Sequence, residues 1–525
     1  MCGIFAAIGS TNESLESSSL AIKHRGPDHT SFIKVTPTVT LGFHRLAIND
    51  LSEAGNQPLS HPSYPNSWLI CNGEIYNHRA LAAKYGLRPR SGSDCEVILL
   101  LYHKIGIKAT LKELDGYFAF VLVDGSEVYV ARDPIGVRSL YIGSKQDEIY
   151  IGSELKSIHS LCDTVSLFPP SQFWKYSDRT YTTYVDLCNR AIIQDPYETA
   201  LKTVRVLLEN AVEKRVDNTE RPIGCLLSGG LDSSIICALV QKYSLLRTGK
   251  PIHTFSIGMA GSTDVKFAKK VAEHLQTIHH EVIVTKEKMI QTIPEVVRTI
   301  ESYDTTTVRA STPMWLLSEY ISKNTDIRVV FSGEGSDELS GSYLYFYRAP
   351  SDEEFYQETL RLTRDLHYFD VLRCDKSISR HGLEARVPFL DKEFLHYYLH
   401  LLPEHKRPTK EQCEKKLLRE AFQDLLPQDV VWRTKEAFSD GVSSKEESWY
   451  QMIQRYVEST VTLPDVEYIH NPPVLKETQW YRYLFQQYYP GRSTILPYYW
   501  LPKWTGDVQD PSARVLSVYE EQENK

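Results

Sequence analysis

Ser228-Gly229-Gly230-Leu231-Asp232-Ser233-Ser234 follows the apolar run Ile223-Gly224-Cys225-Leu226-Leu227 and precedes a helix-compatible stretch over residues 233–243. The order is strand, tight turn, helix start, with the glycines in the turn. Glycine lets a backbone approach an anion closely and reach conformations closed to other residues. The first N–H groups of a helix lack intrahelical partners and can point at a phosphate, aided by the helix dipole. The stretch therefore reads as a phosphate cradle. It is not a Walker A loop, because GxxxxGK[ST] is absent. Alone, it reads equally well as a serine-rich turn before a capped helix.

The segments around it decide between these. Residues 197–212 are helical in pattern, 252–257 read as a strand and 264–276 as a helix. In the latter, Val265, Ala268, Ala272 and Leu275 share one face. A strand over 280–284 and a helix over 287–301 follow. Residues 327–331 then form a strand entering Ser332-Gly333-Glu334-Gly335-Ser336-Asp337-Glu338. Strands alternating with helices predict a parallel sheet covered on both sides. Ligands of such sheets sit beyond the strand carboxyl ends. Both glycine turns fall there, so Asp232 and Asp337 are placed to share one nucleotide. Two carboxylates beside a triphosphate call for a cation, and Mg2+ prefers one or two carboxylates plus phosphate oxygens. Asp232 and Asp337 are the candidate metal residues. Helix-start acids are the plainer reading of Asp337 and Glu338.

Composition sets the bounds. A chain of 525 residues exceeds one ordinary core, and at roughly 150 residues per domain it holds two to four. A net charge of −8 argues against a general nucleic-acid binder. Nine scattered cysteines without a CxxC pair fit a reducing compartment. There is no signal-peptide pattern, and no apolar run of about 18 residues. The expectation is a cytoplasmic protein with neither nucleic-acid nor membrane partners.

The chain begins Met1-Cys2-Gly3-Ile4-Phe5. With Met1 removed, Cys2 would carry a thiol and a free α-amine. An α-amine titrates near ~8 and can serve as base for its own side chain. Further on come Phe43-His44-Arg45-Leu46-Ala47-Ile48, Cys71-Asn72-Gly73-Glu74-Ile75-Tyr76-Asn77 and Ser91-Gly92-Ser93-Asp94-Cys95-Glu96. Ser93 and Glu96 have capping-box spacing, which would put Asp94 in a first helical turn. An amino-acid substrate needs acids for its ammonium and a base for its carboxylate; Glu74, Asp94 and Arg45 supply those charges. An acyl-transfer oxyanion needs N–H donors, and the Asn72 amide and Gly73 backbone are suitable. Residues 117–123 and 127–131 read as a hairpin about Asp124-Gly125. Arg132-Asp133 reads as a structural corner, and residues 186–196 as a passage between domains.

CGIF, His24-Arg25-Gly26-Pro27-Asp28, HRLAI, NGEIYN and SGSDCE together resemble the class II glutamine amidotransferase domain over about the first 190 residues. SGGLDSS, SGEGSDE, the GLEARVPFLD run from Gly382 to Asp391, residues 304–313 and Trp432-Arg433-Thr434-Lys435-Glu436 resemble the asparagine synthetase domain of the ATP pyrophosphatases. The resemblance implies a two-domain chain of α+β and α/β classes. An αββα N-terminal nucleophile hydrolase sandwich (1–190) would precede a parallel-sheet ATP pyrophosphatase domain with added helices (191–525). It implies a carbon–nitrogen ligase in which Cys2 releases ammonia from glutamine. Arg45, Leu46, Ala47, Ile48, Asn49, Asn72, Gly73, Glu74 and Asp94 would hold glutamine, with Asn72 and Gly73 as oxyanion donors. Leu226, Ser228, Gly229, Gly230, Asp232, Ser233, Ile257, Ser332 and Gly333 would hold ATP, with Mg2+ at Asp232 and Asp337. Glu334, Thr306, Arg309 and Lys435 would act on an aspartyl adenylate. A homodimer is also implied, and a related ligase acting on another carboxylate is the alternative. Two departures stand out: Ser342, where the family usually has glycine, and a short loop over residues 243–251.

Overall fold

The nine-residue strand Gly116–Asp124 sends Ala119, Val121 and Val123 to one side and Phe118, Phe120 and Leu122 to the other. Two-residue alternation gives such a strand two buried faces. The first set packs on Ile4, Ala6 and Ile8 of strand Gly3–Ile8 and on Val39, Leu41 and Phe43 of strand Val39–Arg45. The second set packs under helices His78–Tyr85, Glu96–Ile105 and Ile107–Glu113 through Leu81, Val97, Leu101 and Leu111. This is the computed structural model of the chain, and it describes residues 1–433, 436–444 and 447–519.

The chain divides into two compact units. The first comprises Met1–Asn189, Asn218–Pro222 and Ile378–Ala385. The second comprises Arg190–Asp217, Ile223–Ser377 and the described residues from Arg386 onward.

The first unit is built on two six-stranded antiparallel sheets. One runs Thr164–Leu167, Tyr141–Lys145, Glu148–Gly152, Gly3–Ile8, Val39–Arg45, His29–Lys34. The other runs Thr180–Thr183, Gln172–Lys175, Glu127–Arg132, Gly116–Asp124, Tyr64–Ile75, Leu59–His61. Their facing sides share one core. On the outer side of the first sheet, helix Leu15–Leu20 comes so close that a Cβ on Gly42 would lie 2.3 Å from Ser19 Oγ. The layers are therefore helix, sheet, sheet, helix, as the sandwich expectation requires.

The second unit holds parallel strands in the order Ile278–Ile283, His253–Gly258, Ile223–Leu226, Val329–Phe331. Beyond them Arg386 O accepts the Ser332 N–H at 2.9 Å. Among these four, the first in sequence, Ile223–Leu226, lies between the second and the fourth. Strand order thus reverses beside it, and both glycine turns open at that reversal. The intervening helices start on polar caps: Ser262 accepts from Val265 N, Thr285 from Lys288 N and Asp304 from Thr307 N.

Two local expectations fail. The segment 243–251 is mostly helix: Leu231–Thr248 continues until Gly249 caps it at φ 68°. Leu245, Leu246 and Arg247 are good helix formers, and glycine takes the left-handed cap cheaply. The Ser93/Glu96 capping box also does not form. The Glu96 carboxylate instead accepts from Arg90 N, Ser91 N and Ser91 Oγ at 2.6–3.1 Å, and the helix begins at Glu96 with no side-chain cap.

The Arg132-Asp133 corner is structural. Asp133 accepts the backbone N–H groups of Ile135, Gly136, Val137 and Arg138 at 2.7–3.1 Å. Arg132 donates to the carbonyls of Gly136, Arg138 and Phe168. Both residues are fully buried. Each buried donor left without an acceptor costs about 1–3 kcal/mol. Asp133→Ala should therefore lower the stability of the first unit by about 3 kcal/mol or more, measured as a shift of its urea unfolding midpoint. A shift under about 1 kcal/mol would remove this corner from the account.

Candidate active site

In the second unit, the helix Leu231–Thr248 starts at Gly230 without a side-chain cap, so its opening N–H groups face the end of the strand. Gly229 takes φ 72°, and a Cβ there would lie 2.4 Å from Ala268 N. The turn is braced within itself: Ser233 Oγ accepts from Ser228 N at 3.2 Å and donates to Gly230 O at 3.2 Å. Gly333 brings the second turn against the first, since a Cβ there would be 3.0 Å from both Asp232 Cβ and Ser233 N.

One cavity opens between the two turns. Among the residues expected there, Leu226, Ser228, Gly230, Asp232, Ser233, Ile257, Thr306, Ser332, Gly333, Glu334 and Asp337 line it. Gly229 supports it through its backbone. Lys435 lies outside the described residues. Arg309 is not in the lining. Its guanidinium is clamped by Glu477 at 2.6 and 2.8 Å and by Asp510 at 2.8 and 2.9 Å, with the Tyr450 ring 5.3 Å away.

The two candidate metal carboxylates converge on one positive charge. Lys415 Nζ lies 2.5 Å from Asp232 Oδ2 and 2.5 Å from Asp337 Oδ1. Ser336 Oγ donates to Asp232 Oδ1 at 2.8 Å, and Ser342 Oγ donates to Asp337 Oδ1 at 2.6 Å. The Ser342 hydroxyl thus orients a site carboxylate, which a glycine could not do. A pair of carboxylates already gathered around a cation is a donor set that Mg2+ can use alongside phosphate oxygens. No cluster of three or more metal-ligating side chains occurs among the described residues.

The acidic end of the cavity carries Glu334, Glu338 and Asp370 with Arg373. Arg373 Nη2 lies 2.7 Å from both Glu334 Oε2 and Asp370 Oδ1. Burial pushes the Glu334 carboxyl up to about 7, against the pull of Arg373. Burial, then the Asp370 charge, holds Glu338 well above the usual carboxylate range, and Tyr343 donates to it at 2.6 Å. A carboxyl poised near neutrality can take or give a proton during turnover. Thr306 Oγ1 is buried without a partner among the described residues, as a hydroxyl awaiting a ligand would be. Lys415, Asp370, Arg373 and Tyr343 had no motif to announce them. Arg433 did: it stands two positions before Lys435 in the quoted run, and its Nη1 reaches Gly229 O at 3.2 Å.

The first unit has its own polar site. Leu46 N donates to Cys2 Sγ at 3.4 Å, and Arg25 Nε donates to Cys2 O at 2.9 Å. Burial pushes the Cys2 thiol up, opposed by the nearby terminal ammonium and the Leu46 N–H. Met1 is present and buried, its ammonium donating to Leu383 O at 3.1 Å. Both polar atoms of the Asn72 side chain are buried and unpartnered among the described residues. A Cβ on Gly73 would lie 2.4 Å from Tyr117 O, so only glycine fits that strand position.

Glu74 Oε2 accepts from Asn49 Nδ2 at 2.8 Å, and Asp94 Oδ2 accepts from Ile75 N at 2.6 Å. Arg45 is turned to its own loop. Its terminal nitrogens donate to Asn56 Oδ1 and to the carbonyls of Asn49, Asp50 and Ser52. In this state it shapes the loop carrying Leu46, Ala47, Ile48 and Asn49. Ala47 N donates to Asp28 Oδ2 at 2.8 Å, and Ile48 O accepts from Glu220 N at 3.1 Å.

The asparagine synthase family matches residues 203–357 and 349–490, and the glutamine amidotransferase domain matches residues 1–192. The chain belongs to the asparagine synthase family. Its relatives include proteins named asparagine synthetase (glutamine-hydrolyzing) from Gallus gallus, at 44% identity, and from Mus musculus and Cricetulus griseus, both at 43%. Each comparison covers 99% of this chain and 99% of the relative. As an asparagine synthase family member that also matches a glutamine amidotransferase domain, the chain makes asparagine from aspartate with ATP and glutamine.

The Glu334 proton offers a direct test. Its carboxyl 13C shift should titrate with a midpoint near 7. Removing the Arg373 charge (Arg373→Gln) should move that midpoint higher, because Arg373 favours the ionised form. A wild-type midpoint in the ordinary carboxylate range would contradict the burial argument.

Proposed function

We propose that the chain makes asparagine from aspartate, ATP and glutamine, with residues 1–190 as the glutaminase and 191–525 as the synthetase. The observation that carries this reading is the convergence of Asp232 and Asp337, from two glycine turns, on a single positive charge at the strand-order reversal. That is the position where a parallel sheet binds a nucleotide, in a chain that also carries the Cys2 unit.

At the glutaminase site, Cys2 sulfur attacks the glutamine amide carbon. With Met1 removed, the Cys2 α-amine takes the thiol proton and passes it to the departing ammonia. The Asn72 amide and Gly73 N–H hold the oxyanion. Water then cleaves the thioester to give glutamate. Glu74 and Asp94 face the glutamine ammonium, and residues 45–49 line its other end.

At the synthetase site, the turn 228–233 holds pyrophosphate oxygens, while Leu226, Ile257, Ser332 and Gly333 hold the nucleoside part of ATP. An aspartate β-carboxylate oxygen attacks the α-phosphorus and pyrophosphate leaves, giving β-aspartyl-AMP. A bare carboxylate is a poor acyl donor to ammonia, so this activation is a chemical requirement. Ammonia attacks the acyl carbon, AMP leaves, and Glu334 receives the surplus proton. Thr306 hydrogen-bonds the adenylate, and Lys435 neutralises phosphate charge. Arg309 holds the wall that carries Thr306. Asp232 and Asp337 would hold Mg2+, which supplies charge neutralisation of the phosphates. We further place the enzyme in the cytoplasm, which the nine free cysteines support. A homodimer is the assembly that the resemblance implies. No helix among the described residues is long and apolar enough to cross a membrane.

Cys2→Ala should abolish asparagine formation from glutamine and leave ammonia-driven formation within about twofold, since the two chemistries occupy different units. Loss of the ammonia reaction in a folded variant would overturn the division. Pyrophosphate release with a carboxylate other than aspartate, and none with aspartate, would overturn the substrate.

A further inference from the structure

The first unit contains a five-residue segment, Asn218–Pro222, that lies in sequence between the helix Tyr197–Asp217 and the strand Ile223–Leu226. Three of its side chains reach the candidate glutamine site. Asn218 Nδ2 donates to Glu74 Oε2 at 2.7 Å and lies 3.4 Å from Asp94 Oδ2. Glu220 Oε1 accepts from Asp50 N at 2.9 Å. Arg221 Nε donates to Ala47 O at 2.8 Å, and its Nη2 is 3.5 Å from Asp28.

Asn218, Glu74 and Asp94 are all buried. Two buried carboxylates this close repel, and hydrogen-bond donors must offset that repulsion. One amide nitrogen addressing both fixes their spacing. It carries no charge, so the pair keeps its full affinity for a cation. An ammonium entering there meets both charges at once.

We propose that Asn218 is a positioning residue of the glutamine site, holding Glu74 and Asp94 as a joint receptor for the substrate α-ammonium. The inference rests on the glutaminase reading of the first unit. Asn218 acts through the two acids and not on the reacting amide, so it governs glutamine binding more than the chemical step. Hydrogen bonds to charged groups of this kind carry about a tenfold to hundredfold change in binding.

The test uses the full chain with Asn218→Leu, which removes the donor at similar size, and Asn218→Asp, which adds a third acid. Glutamine and glutaramate (glutamine without its α-ammonium) are compared as substrates. Both variants should raise the KM for glutamine about tenfold or more with kcat within about threefold. The KM for glutaramate should barely move, so the preference for glutamine shrinks. Ammonia-driven synthesis and the melting temperature report intact folding. Unchanged glutamine KM in both variants would overturn the proposal while leaving the wild-type glutaminase in place. So would equal losses with glutamine and glutaramate, or a fall in kcat shared with the ammonia reaction. A wild-type chain that releases no ammonia from glutamine would instead overturn the underlying reading, and this proposal with it.

Discussion

A single buried ammonium, Lys415, ties together the two turns on which the synthetase unit depends. Asp232 is 183 residues from it and Asp337 is 78. Both carboxylates lie 2.5 Å from it. Without that charge, two acids would face each other across turns so close that a Cβ on Gly333 would lie 3.0 Å from Asp232 Cβ. Their repulsion would drive the turns apart. Lys415 itself sits at φ 57°, a left-handed conformation costing a non-glycine residue about 1 kcal/mol or more. Its two charge-assisted bonds offset that cost. The arrangement makes the strand-order reversal a defined pocket before any ligand arrives.

The glutaminase unit applies the same constraint with a weaker bridge. Glu74 and Asp94 are gathered by the neutral Asn218 amide. A lysine there would satisfy the acids and close the site to a substrate ammonium. An amide keeps them apart and leaves their charge available. On the proposed reading, the lysine can stay in the second unit because a polyphosphate's own charge suits a nearby cation. On that reading the choice of bridge follows the charge of each site's proposed ligand. Among the described residues, both sites also hold buried polar atoms without a partner. Asn72 stands in one unit and Thr306 in the other, each a group whose burial makes sense once a substrate supplies its partner.

Much of this was legible in the sequence because the signals are local. The run 223–234 carries its strand, its glycine turn and its helix start within twelve adjacent positions, and the second turn repeats the plan after Phe331. The hairpin read about Asp124-Gly125 is present, with Asp124 paired to Glu127 and Ala119 to Arg132. Lys415, Arg373, Asp370 and Asn218 were not legible, because tertiary packing alone brings them to their sites. Ser93 and Glu96 had the right spacing for a cap, but Glu96 found better donors at Arg90 and Ser91. Arg309 was legible as important but not in kind: a cation expected at the adenylate is held by Glu477 and Asp510. Charge and spacing do not reveal which of several acids a buried arginine meets.

The central claim is that the cavity between the turns activates a carboxylate by attack on the α-phosphate of ATP. It is tested most directly with aspartate carrying 18O in its β-carboxylate, incubated with ATP, Mg2+ and ammonia. The account predicts one 18O atom in the AMP formed, none in the pyrophosphate, and asparagine in equal amount. Unlabelled AMP, or ADP and phosphate in place of AMP and pyrophosphate, would contradict it.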